Sequence, residues 1–438
     1  MFIPIALMTA AAAGKAPVAF SSQTQRSVTL SPEQMFNIAE AAQRRGDVAT
    51  AEAIYRALTA DRTVELRNEA RYRLAILYEG EKRYSQAAIL LRRILDEQPA
   101  AQPVRLELAK LLALLGDDSA ARRELRAVRA GGLPPNVAQL VDRFSAALRA
   151  RKKFGGSINV ALASDSNINR ATRSDTLTTA IGDFVLDRDA KARSGRGLDL
   201  EGQVYRRLPV SPRSSILVSL SESGDFYGAK RFDDFTVVAE AGPELQFGDN
   251  RVNLGAQAAR RWYGGAPYLT YAGIQAVVMH PLSSTAQLKV TGEADRVRNQ
   301  RDPFETGRDF SGTANVEKAL SQRIGGGIAV SGNRRIARAA GYSTTSGLAT
   351  IFGYFEAKRM TIAAAASISR LVADQHLFLF PARRSDWMMR GTLAATFRHA
   401  TVHGLAPTLR LTVERNRSSV ELYDFRRMAL ELGVSRAF

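Results

Sequence analysis

Two periodicities divide the chain. From about residue 31 to residue 150, apolar residues recur at i, i+3 and i+4, which is one face of a helix. Beyond about residue 153 the period becomes two. Leu198, Leu200, Gly202 and Val204 alternate with Asp199, Glu201, Gln203 and Tyr205. Ala286, Leu288, Val290 and Gly292 alternate with Gln287, Lys289, Thr291 and Glu293. The same alternation runs through Trp387–Arg398 and Leu409–Glu414. A period of two puts apolar side chains on one face of a strand and polar ones on the other. The pattern therefore predicts an α+β two-domain chain, with a helical domain over 31–150 and an antiparallel β domain over 151–438.

The helical part repeats itself. Ala51, Ala87 and Ala121 are spaced 36 and 34 residues apart. A period near 34 with a recurrent small residue is the tetratricopeptide pattern, in which two antiparallel helices cross so closely that only a small side chain fits. Leu74, Ala75 and Tyr78, then Leu108, Ala109 and Leu112, hold matching first-helix positions. Gly46 and Gly116 sit where a first helix must end. Residues 136–150, after Gly131-Gly132-Leu133-Pro134-Pro135, read as a capping helix. A plain helical bundle would share the period but has no need of the recurrent alanine. Tyr78 and Leu112 are the candidate substrate-binding residues of the repeat groove.

Alternating segments begin near residues 153, 196, 214, 233, 251, 268, 284, 309, 323, 344, 359, 386, 405 and 424. Fourteen of them leave about 21 residues for each strand and its connection, which suits a membrane strand of roughly 10 residues and a loop. Connections at 247–251, 281–284 and 356–359 are short, and those at 166–195, 296–308, 370–385 and 415–423 read as longer and polar. Outer-membrane barrels have short periplasmic turns and longer outer loops. A transmembrane β-barrel of about 14 strands follows, with both ends of the chain and the helical domain in the periplasm. A soluble β-sandwich is the competing architecture, but it would have to extend without interruption over nearly 290 residues. On the barrel reading Asp199, Glu201, Lys289, Glu293, Arg390, Arg398, Arg410 and Glu414 line the lumen. The last strand puts Met428, Leu430, Leu432 and Val434 on one face with Phe438, an assembly-signal pattern that Arg436 interrupts.

Composition narrows the classes. Lys and Arg number 61 against 43 acidic residues, a net charge of +18, with no cysteine and four histidines. That excludes disulfides, thiol nucleophiles and thiolate metal sites, and a histidine-rich metal centre has too few ligands. The basic excess fits a surface against anionic lipid or lipopolysaccharide, since no basic helix face with interleaved aromatics points to nucleic acid. Residues 2–13, FIPIALMTAAAA, have the length and small-residue end of a secretory signal, so 1–13 reads as a signal peptide although no basic residue precedes it. His280, His376, His399 and His403 lie in no nucleophile motif, and no phosphate-binding loop is present. The chain reads as a non-enzyme without cofactor or metal.

The residues that carry a family resemblance are Arg71-Tyr72-Arg73-Leu74-Ala75 with Tyr84 and Ala87-Ala88, then Val104-Arg105-Leu106-Glu107-Leu108-Ala109 and Leu133-Pro134-Pro135-Asn136-Val137. At the first strand's exit stands Asp165-Ser166-Asn167-Ile168-Asn169-Arg170-Ala171-Thr172. In that order they resemble the surface lipoprotein assembly modifier family, also called Slam. The resemblance implies an outer-membrane translocator that helps export and display client proteins. Its clients would be surface lipoproteins or secreted soluble proteins, some concerned with iron or haem capture. It implies periplasmic chaperones and the barrel assembly machinery as further partners, and client folding outside the cell as the energy source. The rival is a polysaccharide exporter, which also joins such repeats to a barrel. It usually has more repeats and would want a uniformly basic lumen.

Overall fold

The computed structural model describes residues 30–115, 117–130, 154–211, 213–402 and 405–437. The expected signal peptide, Gly116, the 131–150 stretch with its capping helix, His403 and Phe438 lie outside the described residues. The chain forms two compact units, Met1–Ile54 and Tyr55–Phe438.

Six helices come first: α1 (Pro32–Arg44), α2 (Val48–Leu58), α3 (Val64–Gly80), α4 (Tyr84–Glu97), α5 (Gln102–Leu115) and α6 (Asp118–Ala130). The start of α1 is a capping box. The Gln34 amide donates to the Ser31 hydroxyl at 3.2 Å, and the Ser31 amide donates to the Gln34 side chain at 2.9 Å. Gly46 ends the first helix with φ +79°, a left-handed turn that glycine adopts without a Cβ clash. Ala51, Ala87 and Ala121 each stand three residues into the second helix of a pair, and all three are buried. The recurrent small residues thus occupy equivalent buried positions in α2, α4 and α6.

Fourteen strands close into a barrel: β1 (Phe154–Asp165), β4 (Gly195–Ser211), β5 (Ser214–Tyr227), β6 (Asp234–Phe247), β7 (Asn250–Tyr263), β8 (Ala266–Pro281), β9 (Ala286–Asn299), β10 (Gly307–Ala319), β11 (Ile324–Ala337), β12 (Thr344–Ala357), β13 (Met360–His376), β14 (Arg383–Phe397), β15 (Ala406–Ser418) and β16 (Phe425–Ala437). Between β1 and β4, β2 (Thr176–Thr179) and β3 (Gly182–Val185) form a separate hairpin. Every barrel neighbour is antiparallel. The ring closes where β1 meets β16, with Ser157 opposite Ala437 through Asp165 opposite Ala429.

The outer face excludes a soluble sandwich. Leu162 is 68 % exposed, Ile274 65 %, Ile351 61 % and Leu432 59 %. These side chains stand on neighbouring β1 and β16 and, farther round the ring, on β8 and β12. A continuous apolar belt of that kind is covered in lipid and in nothing else at this scale. Among the described residues no helix is long and apolar enough to cross a membrane, so the strands must do it.

Strand positions agree with the alternation, with each start within three residues of the expected one. The long connections do not. β9 runs to Asn299, β13 to His376 and β15 to Ser418, so the segments read as loops at 296–308, 370–385 and 415–423 are partly strand. Arg296, Arg298, Arg370, Arg415 and Arg417 made those ends look like loop; they are strand ends that rise past the apolar belt. Only residues 166–194 form a long connection.

Gly325, Gly326 and Gly327 begin β11 because the neighbours come close. A Cβ on Gly327 would lie 2.1 Å from the Val316 carbonyl oxygen, whereas one on Gly312 of β10 would meet nothing within 4 Å. Gly327→Ala is therefore expected to destabilise the barrel by about 1–3 kcal/mol and Gly312→Ala to leave it within about 0.5 kcal/mol. Thermal unfolding followed by the gel mobility of the folded barrel checks the pair.

Candidate translocation lumen and its two mouths

Seven of the eight residues expected in the lumen stand on the inward face of a strand. They do not form one uniform lining. On β15, β16 and β4, Arg410 Nη1 donates to Glu431 at 3.1 Å and lies 3.7 Å from Glu201. Asp199 stands two residues before Glu201 on the same face. Glu414, 2 % exposed, collects three arginines: Arg390 at 2.7 Å, Arg170 at 3.4 Å and Arg427 at 3.5 Å. Arg427 in turn holds Asp165 at 2.7 Å. Glu293, on β9, accepts from Gln275 and from Ser311, each at 3.0 Å. Lys289, two steps of the alternation away, is exposed and has no ion pair among the described residues. The lining thus includes an ion-paired cluster near β1 and, among the described residues, a cation on β9 without an ion pair.

Arg398 is a correction. It follows β14 in a one-turn helix, η4 (Arg398–Ala400), at the end of the barrel that carries the short turns. It is 8 % exposed and donates to Asp96 of α4 at 2.8 Å, to Thr361 at 2.9 Å and to the Ala357 carbonyl at 2.9 Å. The alternation of β14 carried on past the strand's end put it in the lumen; the turn takes it to the rim. Burial first, then Arg92, lowers its pKa.

The helices meet this same rim. Arg126 of α6 donates to Glu317 of β10 at 2.6 Å and to Gln287 of β9 at 3.2 Å. Arg105 of α5 is 1 % exposed; it donates to Glu124 of α6 at 2.6 Å and lies 3.5 Å from Glu356 of β12. Burial holds the Glu124 carboxyl above its usual range, with Glu356 adding to the rise and Arg105 and Arg92 opposing it. Spacing could have revealed this pair. Arg105 shares a helix face with Leu108, Ala109 and Leu112, and Glu124 shares one with Ala121, Leu125 and Val128, so each is a charge inside an apolar stripe. Asp165 and Arg427 stand near strand ends, beyond the stretches of alternation described above, whereas Glu431 lies between Leu430 and Leu432 and its inward parity was legible there.

Tyr78 and Leu112 are also corrected. They are 5 % and 6 % exposed, so they pack between helices and offer no open groove. The Tyr78 hydroxyl accepts from Arg56 at 3.0 Å, and the Arg83 guanidinium lies 3.9 Å from its ring centroid. A first-helix position next to a recurrent alanine is where packing is tightest.

At the opposite mouth, the long connection after β1 is organised by its asparagines. Asn167 is fully buried; its side-chain amide donates to the carbonyls of Ala171 and Arg426, at 2.9 and 3.0 Å. Asn169 donates to the carbonyls of Asp189 and Lys191 and accepts from the Arg193 amide. The β2–β3 hairpin packs Leu177 against Phe380 and Val420, from the connections after β13 and β15. The Ala180 amide donates to the Leu379 carbonyl at 2.9 Å. Three connections are thereby tied together over this mouth.

His280 and His376 stand at opposite ends of the barrel, bonded to Asn250 and to the Leu377 carbonyl; the side chain of His399 lies outside the described residues. Among the described residues no three His, Asp or Glu side chains gather where a metal could sit.

The sequence pattern of surface lipoprotein assembly modifiers matches residues 153–438, the whole barrel. The chain belongs to the surface lipoprotein assembly modifier family. A surface lipoprotein assembly modifier 1 of Haemophilus influenzae is 24 % identical over 209 residues, 48 % of this chain and 41 % of that one. The Moraxella catarrhalis surface lipoprotein assembly modifier is 26 % identical over 235 residues, 52 % of this chain and 44 % of that one. The chain thus matches less than half the length of these relatives. A Pseudomonas aeruginosa FadL homologue of known structure is 8 % identical, with 66 % of this chain and 90 % of that one covered and a TM-score of 0.38. Family and closed lipid-faced barrel together make this an outer-membrane protein.

In this family member the Arg105–Glu124 pair joins α5 to α6. Arg105→Ala leaves a buried carboxylate and is expected to cost about 3–5 kcal/mol at pH 8. The cost is full above the raised folded pKa of Glu124 and fades as pH falls toward its unfolded value, because protonation discharges the stranded group. Protease susceptibility of α5 and α6 against pH measures it; equal losses at pH 5 and pH 8 would contradict the buried-charge account.

Proposed function

We propose that this protein is an outer-membrane translocator that moves surface lipoproteins to the outside of the cell. The observation that carries the reading is a closed 14-strand barrel of this family whose lumen is charged, with helices bonded to one mouth and tied loops over the other. A polypeptide in transit needs a wet wall with charges of both signs, and the lumen supplies Asp199, Glu201, Lys289, Glu293, Arg390, Arg410 and Glu414. The same mixture disfavours the polysaccharide exporter, whose polyanionic cargo would be repelled by the four acids among these seven groups.

On this reading the helices lie in the periplasm as a tetratricopeptide-like domain over 31–150. They receive the client from a chaperone. The ion pairs of Arg126 and Arg398 hold α6 and α4 at the mouth, so the client passes beside them. A segment at 1–13 directs export, and the barrel assembly machinery inserts 151–438. Clients include lipoproteins first and secreted soluble proteins second, with iron or haem capture among their tasks. Refolding outside the cell supplies the drive.

The chain lacks cysteine, so single cysteines report cleanly. Val185→Cys, in the exposed β2–β3 hairpin, is expected to react with a membrane-impermeant maleimide on intact cells, and Lys358→Cys, in the short turn after β12, only after the outer membrane is opened. The reverse pattern would overturn the orientation. A photo-crosslinker in place of Lys289 is expected to capture a lipoprotein during export. Removal of residues 154–437 is expected to leave that lipoprotein inside the envelope. Normal surface display without the barrel, or capture of polysaccharide instead, would overturn the proposal.

A further inference from the structure

Several arginines of this barrel pair with acids. Inward, Arg261 pairs with Asp234, Arg335 with Asp309 and Arg427 with Asp165. Outward, Arg334 makes a two-pronged pair with Asp374, both contacts at 2.6 Å. A patch on the outward face of β9 and β10 has none. Arg296 and Arg298 on β9 and Arg308 on β10 are exposed, and among the described residues none has an acid or a hydrogen-bond partner. Arg308 stands directly opposite Arg296 in the ladder. Like charges directly opposite on one face of a sheet repel. Arg260 of β7 extends the patch, since Thr270 of β8 pairs with Arg260 on one side and Arg298 on the other.

The height of the patch on the barrel identifies its surroundings. Arg260 is one outward step below Trp262, whose ring lies 5.7 Å from that of Phe235, itself 5.9 Å from Phe226. Such an aromatic row marks the membrane–water boundary. Below the arginines the outward positions are apolar: Leu288, Val290, Gly292 and Ala294 on β9, and Phe310, 42 % exposed, on β10. The eight steps from Ala286 to Ala294 span roughly 27 Å along a strand, or about 19 Å across a membrane at a tilt of about 45°. The guanidinium groups therefore stand at headgroup level, above a surface that takes acyl chains, at the end opposite the helices.

We propose that Arg260, Arg296, Arg298 and Arg308 bind the phosphate groups of a phosphorylated glycolipid of the outer leaflet, whose acyl chains lie along β9 and β10. Guanidinium forks match phosphate oxygens two at a time. Two rows of arginine about 7 Å apart along the strands favour a ligand with more than one phosphate over a single phospholipid headgroup. The bound anion also removes the repulsion between Arg296 and Arg308. Assignment to the outer leaflet rests on the orientation proposed above, which the cysteine labelling tests separately.

The full chain in detergent is incubated with bisphosphorylated lipid A, dephosphorylated lipid A, phosphatidylglycerol or inorganic phosphate. Retained lipid is counted by native mass spectrometry. Bisphosphorylated lipid A is expected to be retained, and millimolar inorganic phosphate is expected not to displace it. Arg296→Gln/Arg298→Gln/Arg308→Gln is expected to retain about tenfold less or worse, since a hydrogen bond to a charged group is worth about 1.5–3 kcal/mol. Lys318→Gln, an outward cation at the other end of β10, is expected to leave retention unchanged. Equal retention by the triple variant, equal loss in Lys318→Gln, equal retention of dephosphorylated lipid A, or tight binding of phosphatidylglycerol would each overturn the proposal. Should the triple variant not fold, Arg308→Gln alone decides. It is expected to unfold at an equal or higher temperature than the parent without lipid and to retain less lipid A; a lower unfolding temperature without lipid, or unchanged retention, overturns the site.

Discussion

Closure of the backbone hydrogen-bond ring is the constraint on which everything else depends. In hydrocarbon, an unpaired amide or carbonyl costs several kcal/mol, and only a helix or a closed sheet avoids leaving such groups. No described helix can span, so β1 must find β16, and it does so through the register from Ser157–Ala437 to Asp165–Ala429. Once the ring is shut, the alternation of each strand divides side chains between lipid and lumen without further choice. Leu162 and Leu432 are exposed because lipid is their solvent. Glu201 and Arg410 meet because they are on the inside.

The lumen then becomes a place where charges must find each other. Glu414 is almost completely buried, yet it sits beside three guanidinium groups, one of them Arg170 from the connection after β1. A carboxylate so enclosed is tolerable only when paired. The pairs tie β14, β15 and β16 to the first strand's exit, near the seam where the ring closes. At the other end the same logic fastens helices to the barrel: Arg126 to Glu317, Arg398 to Asp96, and Arg105 between Glu124 and Glu356. Both mouths are therefore held by buried or half-buried ion pairs, which bond by direction as well as by charge. The barrel thus has fixed fittings at its ends and a polar wall between them.

Much of this was legible along the chain. The change of period near residue 153, the number of strands and the start of each follow from local chemistry, because a side chain's period is set by its own strand or helix. The buried alanines at 51, 87 and 121 were legible for the same reason. The lumen-facing side of Asp199, Glu201, Lys289, Glu293, Arg390, Arg410 and Glu414 needed only their parity. Local pattern was least informative near the ends of elements. Arg398 has lumen parity but belongs to a turn. Arg296, Arg370 and Arg417 look like loop because arginine is foreign to an apolar strand, although strands rise beyond the apolar belt. Tyr78 and Leu112 were assigned to an open surface that the neighbouring helices cover.

By itself, then, the sequence determined the period of every segment, which residues share a face, and that the second half must bury one face in something other than its own core. Those properties depend on a few neighbouring residues. The tertiary structure alone decided that Arg105 meets Glu124, that Arg398 leaves the lumen for Asp96, that Asn167 reaches the Arg426 carbonyl, and that Arg308 stands against Arg296. These partners lie 12 to 302 residues apart, and their meeting depends on strand register and on closure of the ring, which no local pattern encodes.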